Sequence, residues 1–416
     1  MNGRERVLST LNHTENGLSV DFGSTPVTGI HISVVAALRS HYGLAFQPVK
    51  VVEPYQMLGE VDDELKKIIG IDTEGVFGPK TMFGFRYADW KEWRTPWDQD
   101  VLVPGGFQVS EEAGAMVIYP EGDRSVPPSG RMPEGGFFFD SIKRQQPIDE
   151  EKLDPKDNTE EFVPMDEEDV EYYAREVQNA AATGRAVVAA LPGAGLGDIA
   201  LVQAPFLKNP RGIRDVEEWY ISTITRQDYL HEIFEYQTDI ALTNFDRLKK
   251  TTGDSIDVAM VCGTDFGTQA STFCSSETFE AIYAPYYKKM NDWIHANTKW
   301  KTFKHTCGAI EPLIPNLVKA GFDIVNPVQC SAAGMDPELL KNRHGEDIVF
   351  WGAGVDTQET LPFGTPDQVR KEVETRCEIF SPKGGFVFNT IHNIQARSPI
   401  NNVVALIEAI KKVGDR

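Results

Sequence analysis

From residue 186 to its end the chain alternates short apolar runs with amphipathic stretches long enough to be helices, and this rhythm limits the possible folds more than any other feature. A strand buried on both faces reads as a continuous apolar run, and a crossover to a parallel neighbour needs about a dozen residues or more. Six runs fit that description: 186–191 (AVVAAL), 257–262 (DVAMVC), 301–306 (KTFKHT), 323–328 (DIVNPV), 348–353 (IVFWGA) and 385–390 (GFVFNT). Helical patterns lie at 215–249, 277–297, 311–320, 336–343, 366–380 and 400–412, several opening on Pro, Asp or Glu. Repeated β–α units of this kind predict a parallel sheet. Upstream, 18–22 (LSVDF) and 71–77 (IDTEGVF) supply two further strands, which makes eight. The expected fold is therefore α/β, a (β/α)8 TIM barrel forming one domain over residues 1–416. Between about 88 and 166 the rhythm stops in a segment rich in Pro, Gly, Trp and acids, where DVLVPGGFQVSEEAGAMVIYPEG suggests a β-hairpin. This segment is expected to be an insertion.

A chain of 416 residues with 41% hydrophobic residues can build a core of that size. Acidic residues outnumber basic ones by 62 to 41, a net charge of −21 that repels nucleic acid and anionic membranes, so neither is expected as a partner. The opening MNGRERVLSTLNHTENG lacks the apolar centre of a secretory signal, and no stretch approaches the roughly 20 apolar residues of a membrane span. Cysteines at 262, 274, 307, 330 and 377 are odd in number and scattered, which does not suit a disulfide framework. A cytoplasmic location is expected.

Parallel barrels carry their chemistry on the loops that follow the strands. That rule selects Asp265 and Gln269 (CGTDFGTQ), His305 and Cys307 (KHTCGAI), Gln329 and Cys330 (VQCSAAGMD), Asp356 (GAGVDTQ), and Asn389 and His392 (FNTIHNIQ). In the first strand–loop it selects Asp21, with His31 following. Residues i and i+2 of an extended strand end point the same way, so His305 and Cys307 can face one cation, and a nitrogen–sulfur pair suits Zn²⁺. A histidine near a core cysteine gives the same triplet without a metal. A third ligand would come from another strand end, either His392 or Cys330. Asp265 and Asp356 are the candidates for general acid–base catalysis, although each could instead cap its loop. Asp21, His31, Gln269, Gln329 and Asn389 are candidates for substrate binding. Cys262, Cys274 and Cys377 have no close histidine and are expected to be structural. The Gly-rich PGAGLGD at 192–198 lacks phosphate-loop and dinucleotide spacing and is expected to be a barrel loop.

The stretches HTCGAIEPLIPNLVKAGFDIVNPVQ, GVDTQ–LPFGTP and GGFVFNTIHNIQ–SPINNVVALIEA resemble the C-terminal half of uroporphyrinogen-decarboxylase-like proteins. Upstream, RERVLSTLNH, VDFGSTPVTGIH and VVEPYQMLGEVDDEL resemble a bacterial branch of the same superfamily, so the likeness covers most of the chain outside the insertion. True uroporphyrinogen decarboxylases carry an Arg-rich M-R-Q-A-G-R motif for the substrate carboxylates, where this chain has FGSTPVTGIH. Decarboxylation of a polycarboxylate is thereby disfavoured. The resemblance is to the zinc methyltransferases of the superfamily, whose H-x-C is followed by a cysteine near the last strand. It places His305 and Cys307 in the first two positions and His392 where the family has that cysteine. Two imidazoles and one thiolate leave a metal more positive, which favours polarising an ether-like oxygen. The resemblance implies transfer of a methyl group between a small O-, N- or S-methyl substrate and a corrinoid (cobalamin). No D-x-H-x-x-G occurs in the chain, so the corrinoid would reside on a separate protein. A homodimer is the default association. The competing expectation is a metal-free decarboxylase or lyase acting on a small carboxylic acid, and a third is a non-catalytic subunit. Metal content separates them.

Overall fold

Eight parallel strands form one sheet in the computed structural model, which describes residues 1–14 and 17–414. In chain order they are β1 (Ser19–Val20), β2 (Thr73–Val76), β3 (Ala186–Ala190), β4 (Val258–Cys262), β5 (Lys301–His305), β6 (Ile324–Asn326), β7 (Val349–Ala353) and β8 (Phe386–Asn389). Every expected strand is present with its ends within two residues of the apolar run. β6 stops at Asn326 because Pro327 has no N–H to continue the ladder. The sheet runs β1-β8-β7-β6-β5-β4-β3-β2, and its two ends meet where the Asp72 N–H donates to Val20 O at 2.8 Å. The fold is a (β/α)8 barrel.

The barrel interior is a packed column of Val188, Val258, Phe303, Ile324, Val349, Trp351 and Val387. Its lower end is closed by an N-terminal helix, Gly3–Leu11, which inserts Val7 and Leu11. The ion pairs Arg4–Asp257 and Arg6–Asp72 fix that helix to the strand starts. At the seam, fully buried Asp21 accepts from Trp351 Nε1 (2.9 Å), Thr73 Oγ1 (2.7 Å) and the Ser24 N–H (3.2 Å). Burial raises its carboxyl pKa, and these donors oppose the rise.

Outside the barrel, the chain before and after β2 builds two small sheets. Val49–Glu53 lies between Leu58–Gly59 and Asp100–Val103 in a five-stranded sheet, and Val109–Glu112, Ala115–Ile118, Gly130–Pro133 and Asp140–Ser141 form a four-stranded antiparallel one. The expected hairpin over 100–122 is therefore divided. Pro104-Gly105-Gly106 ends its first strand, which pairs with Lys91–Arg94 instead. The hairpin proper turns at Ala113-Gly114, both at positive φ, as a two-residue turn requires.

Two of the expected long helices are also divided. Over 215–249 the helix ends at Thr225 and resumes at Gln227. The interrupted turn is the β-branched, hydroxyl-rich ISTIT, in which Ser222, Thr223 and Thr225 bond back to carbonyls. Over 277–297 the break falls at Tyr283, where Pro285 can occupy only a first turn. Among the described residues no helix is long and apolar enough to cross a membrane.

Asp21→Ala leaves three buried donors without an acceptor at the seam, and we expect a loss of roughly 3 kcal/mol of stability in urea unfolding. A loss below about 1 kcal/mol would show that the seam does not depend on this carboxylate.

Candidate metal centre at the barrel mouth

β5 alternates its side chains: Phe303 packs in the column, Lys304 turns outward and His305 faces inward at the rim. Buried Lys304 is held by Thr264 O (2.5 Å) and His305 O (2.6 Å), which ties the end of β5 to the loop after β4. The two loops touch because Gly308, at φ +88°, has no Cβ; one placed there would lie 2.3 Å from Gly267. This contact brings the Cys307 N–H to Asp265 Oδ1 at 2.6 Å and leaves Cys307 Sγ 3.4 Å from His305 Nε2. His392, on a left-handed turn (φ 70°) after β8, returns its ring edge-on to His305 with centroids 5.2 Å apart. The ligand atoms of His305, Cys307 and His392 all lie within 4.8 Å of one another, and this group could hold a metal ion.

The protonation states bear on that capacity. Asn326 Nδ2 donates to Trp351 O at 2.8 Å, so its Oδ1 accepts from His305 Nδ1 at 2.6 Å. The neutral His305 ring therefore carries its proton on Nδ1 and presents a lone pair on Nε2 toward Cys307. Burial, with Lys304 nearby, lowers the His305 pKa to about 4. Burial and His305 lower that of His392 to about 3, so both rings are neutral near pH 7. His392 is less well prepared, because its Nδ1 accepts the Asn393 N–H at 2.8 Å. Taking a cation on either nitrogen gives up that bond. Burial and the charge of Asp265 push the Cys307 thiol well above its usual range, so a metal must displace its proton.

Beside this group opens a cavity of about 800 Å³ whose wall includes His305, His392, Asp265, Asp198 and Glu53. The last two were not among the expected site residues. Asp198 ends the PGAGLGD loop after β3, where it accepts the Ala200 N–H at 3.1 Å and caps a short helix. Burial, reinforced by Asp265, pushes its carboxyl up to about 6. Its place behind a strand end was the available signal. Glu53 closes the strand Val49–Glu53 of the small sheet, and burial pushes its carboxyl up to about 7 against the N–H groups of Gln56 and Tyr55. Nothing in the barrel rhythm marks that position.

The other expected site residues have different surroundings. Asp356 Oδ1 caps its loop through the Gln358 (2.6 Å) and Glu359 (2.8 Å) N–H groups. Asp21 serves the seam, and Asn389 Nδ2 donates to Asp21 O at 2.7 Å. Nδ1 of His31 accepts the Ser33 N–H at 3.1 Å, so its Nε2 donates to Phe137 O at 3.0 Å and joins the start of the helix Ile32–His41 to the four-stranded small sheet. Gln329 braces the Cys307 loop by accepting the Gly308 N–H (2.9 Å), and its amide donates to Gln269 (3.0 Å). Cys330 lies outside the three-ligand group, its thiol pushed up to about 12 chiefly by burial. Cys262 and Cys377 are buried and Cys274 half-buried, all three as free thiols.

The sequence profile of the uroporphyrinogen decarboxylase (URO-D) family matches residues 158–413, more than half of the chain, and the protein belongs to that family. Among solved structures, a methyltransferase from Methanosarcina mazei is similar with a TM-score of 0.55 over 99% of this chain and 99% of that chain. At 13% sequence identity this is a likeness of fold. No curated protein sequence matches the chain.

With both imidazoles already neutral, binding of a divalent probe such as cobalt(II) should release one proton, from Cys307. Its affinity should rise about tenfold per pH unit between about pH 6 and 8. Asn326→Ala should weaken binding by about 10–100-fold through loss of the His305 orientation. A pH-independent affinity, or an unaffected variant, contradicts these ligand states.

Proposed function

We propose that the protein is a zinc-dependent methyltransferase that moves a methyl group between a small methylated substrate and a corrinoid carried by a separate protein. The observation that carries this reading is that the ligand atoms of His305, Cys307 and His392 come within 4.8 Å of one another at the barrel mouth, beside a cavity. A tetrahedral Zn²⁺ with ordinary bond lengths separates a nitrogen and a sulfur ligand by about 3.6 Å. The His305–Cys307 distance of 3.4 Å fits that edge. Three protein ligands also leave the open fourth position of a catalytic site. A zinc ion held there supplies Lewis acidity toward the heteroatom that bears the methyl group.

The chain's own groups then have distinct tasks. Asn326 fixes the tautomer of His305, and Gln329 and Asp265 hold the main chain of the Cys307 loop. For proton transfer Asp265 is the better placed acid, lining the cavity 3.8 Å from His305 Nε2, whereas Asp356 caps its own loop. The insertion at about 88–166 of this single barrel domain adds Glu121 and Glu161 to the cavity wall. No arginine lines the cavity among the described residues, which disfavours the tetrapyrrole polycarboxylate that gives the family its name.

Elemental analysis of purified protein should find about one zinc per chain. A His305→Ala/Cys307→Ala variant should lose the metal together with corrinoid-dependent demethylation. Protein that neither contains nor takes up zinc excludes this mechanism and returns attention to a metal-free lyase or decarboxylase.

A further inference from the structure

The cavity beside the metal group has an unbalanced charge. Its wall carries five carboxylates, Glu53, Glu121, Glu161, Asp198 and Asp265, against one cationic side chain, Lys80. Three of the five are accounted for. Glu121 lies 3.9 Å from Lys80 and 3.4 Å from Lys208, Glu161 is locked 2.8 Å from Arg214, and Asp265 serves the Cys307 loop. Asp198 faces the field of buried Lys304. Glu53 is different: it is 6% exposed, and no cationic side chain lies within ion-pair distance of it among the described residues. The Tyr55 and Gln56 N–H groups, at 2.8 and 2.7 Å, fix both oxygens without supplying charge. Tyr55, Phe77 and Tyr87 line the same cavity and add aromatic surface. An uncompensated carboxylate in an apolar wall is costly unless it is protonated or meets a cation, and aromatic faces favour organic cations over hydrated metal ions.

We propose that the methyl donor is an organic cation: a methylated compound that also bears an ammonium group, seated against Glu53 and the aromatic wall. This deepens the methyltransferase reading and rests on it. A divalent ion held at the His305 end would repel positive charge, so the ammonium group belongs at Glu53, leaving a separate methyl-bearing heteroatom free to reach the other end of the cavity. The protein's net charge of −21 also draws cations toward the molecule over long range. An anionic methyl compound or anionic thiol would find no guanidinium in this wall.

The test is calorimetric titration of the full-length protein with choline and with its uncharged carbon isostere, neohexyl alcohol, zinc content being measured on the same sample. Choline should bind at least about tenfold more tightly than the alcohol. Glu53→Gln should abolish the preference by weakening choline alone, with an unchanged circular dichroism spectrum. If that variant fails to fold, the comparison in the wild-type protein still decides. Equal or stronger binding of the alcohol, or no choline binding at about 10 mM, overturns the proposal. A fully zinc-loaded sample without the preference overturns the substrate class while the methyltransferase reading stands. A zinc-free sample with the preference supports the class and removes the metal.

Discussion

Closure of the sheet between β1 and β2 is the constraint on which the rest depends. β1 contributes only Ser19 and Val20 to the ladder, so the seam has little main-chain pairing of its own. It is reinforced by side chains: Asp21 collects donors from β2 and β7, and Asp72 donates across the gap from its main chain. Were the seam to open, β1 would become a two-residue edge strand held only by its pairing with β8, and the rim beside the His392 loop would lose its closure. The polar groups inside this otherwise apolar barrel thus hold the rim at the curvature that lets residues from β5 and β8 meet. A buried carboxylate with all its donors in place is compatible with stability, whereas removing it strands them.

The metal group follows from that geometry and from two local devices. One is the alternation of β5, which turns His305 inward and sends Lys304 out to hold the preceding loop. The other is the left-handed turn at His392, which redirects a side chain that a regular strand end would send elsewhere. The three side chains are unequally prepared to take a metal. His305 is fixed in its binding tautomer by Asn326, whereas His392 must release Asn393 and Cys307 must release a proton. Metal binding should accordingly rearrange the β8 loop more than the β5 end.

The sequence was legible where burial on both faces made the strands apolar, as in Val349–Ala353, and where chemistry followed directly on a strand end, as at His305 and Cys307. The position of a polar residue behind a strand does not reveal which way its side chain faces. Asp21, Asp356, Asn389 and His31 follow the rim rule, yet their side chains are engaged by the seam, by a loop cap or by a helix cap. Glu53 was hidden for the opposite reason. It lies on a strand outside the barrel rhythm, and only the packing of the small sheet over the mouth gives it a place in the cavity wall. The divided helices show the same limit, because the apolar period runs through Tyr283 and Arg226 while a proline or a hydroxyl-rich turn interrupts the backbone.

Binding of one zinc at the barrel mouth by two imidazoles and one thiolate, from His305, Cys307 and His392, is the proposal on which the function rests. X-ray absorption at the zinc edge of the purified protein tests it most directly. The proposed site should give a first shell with one sulfur at about 2.3 Å and nitrogen ligands near 2.0–2.1 Å, the imidazole scattering falling by half in His392→Ala. A shell with two sulfurs, which would bring Cys330 to the metal, or one unchanged by that substitution, would contradict it.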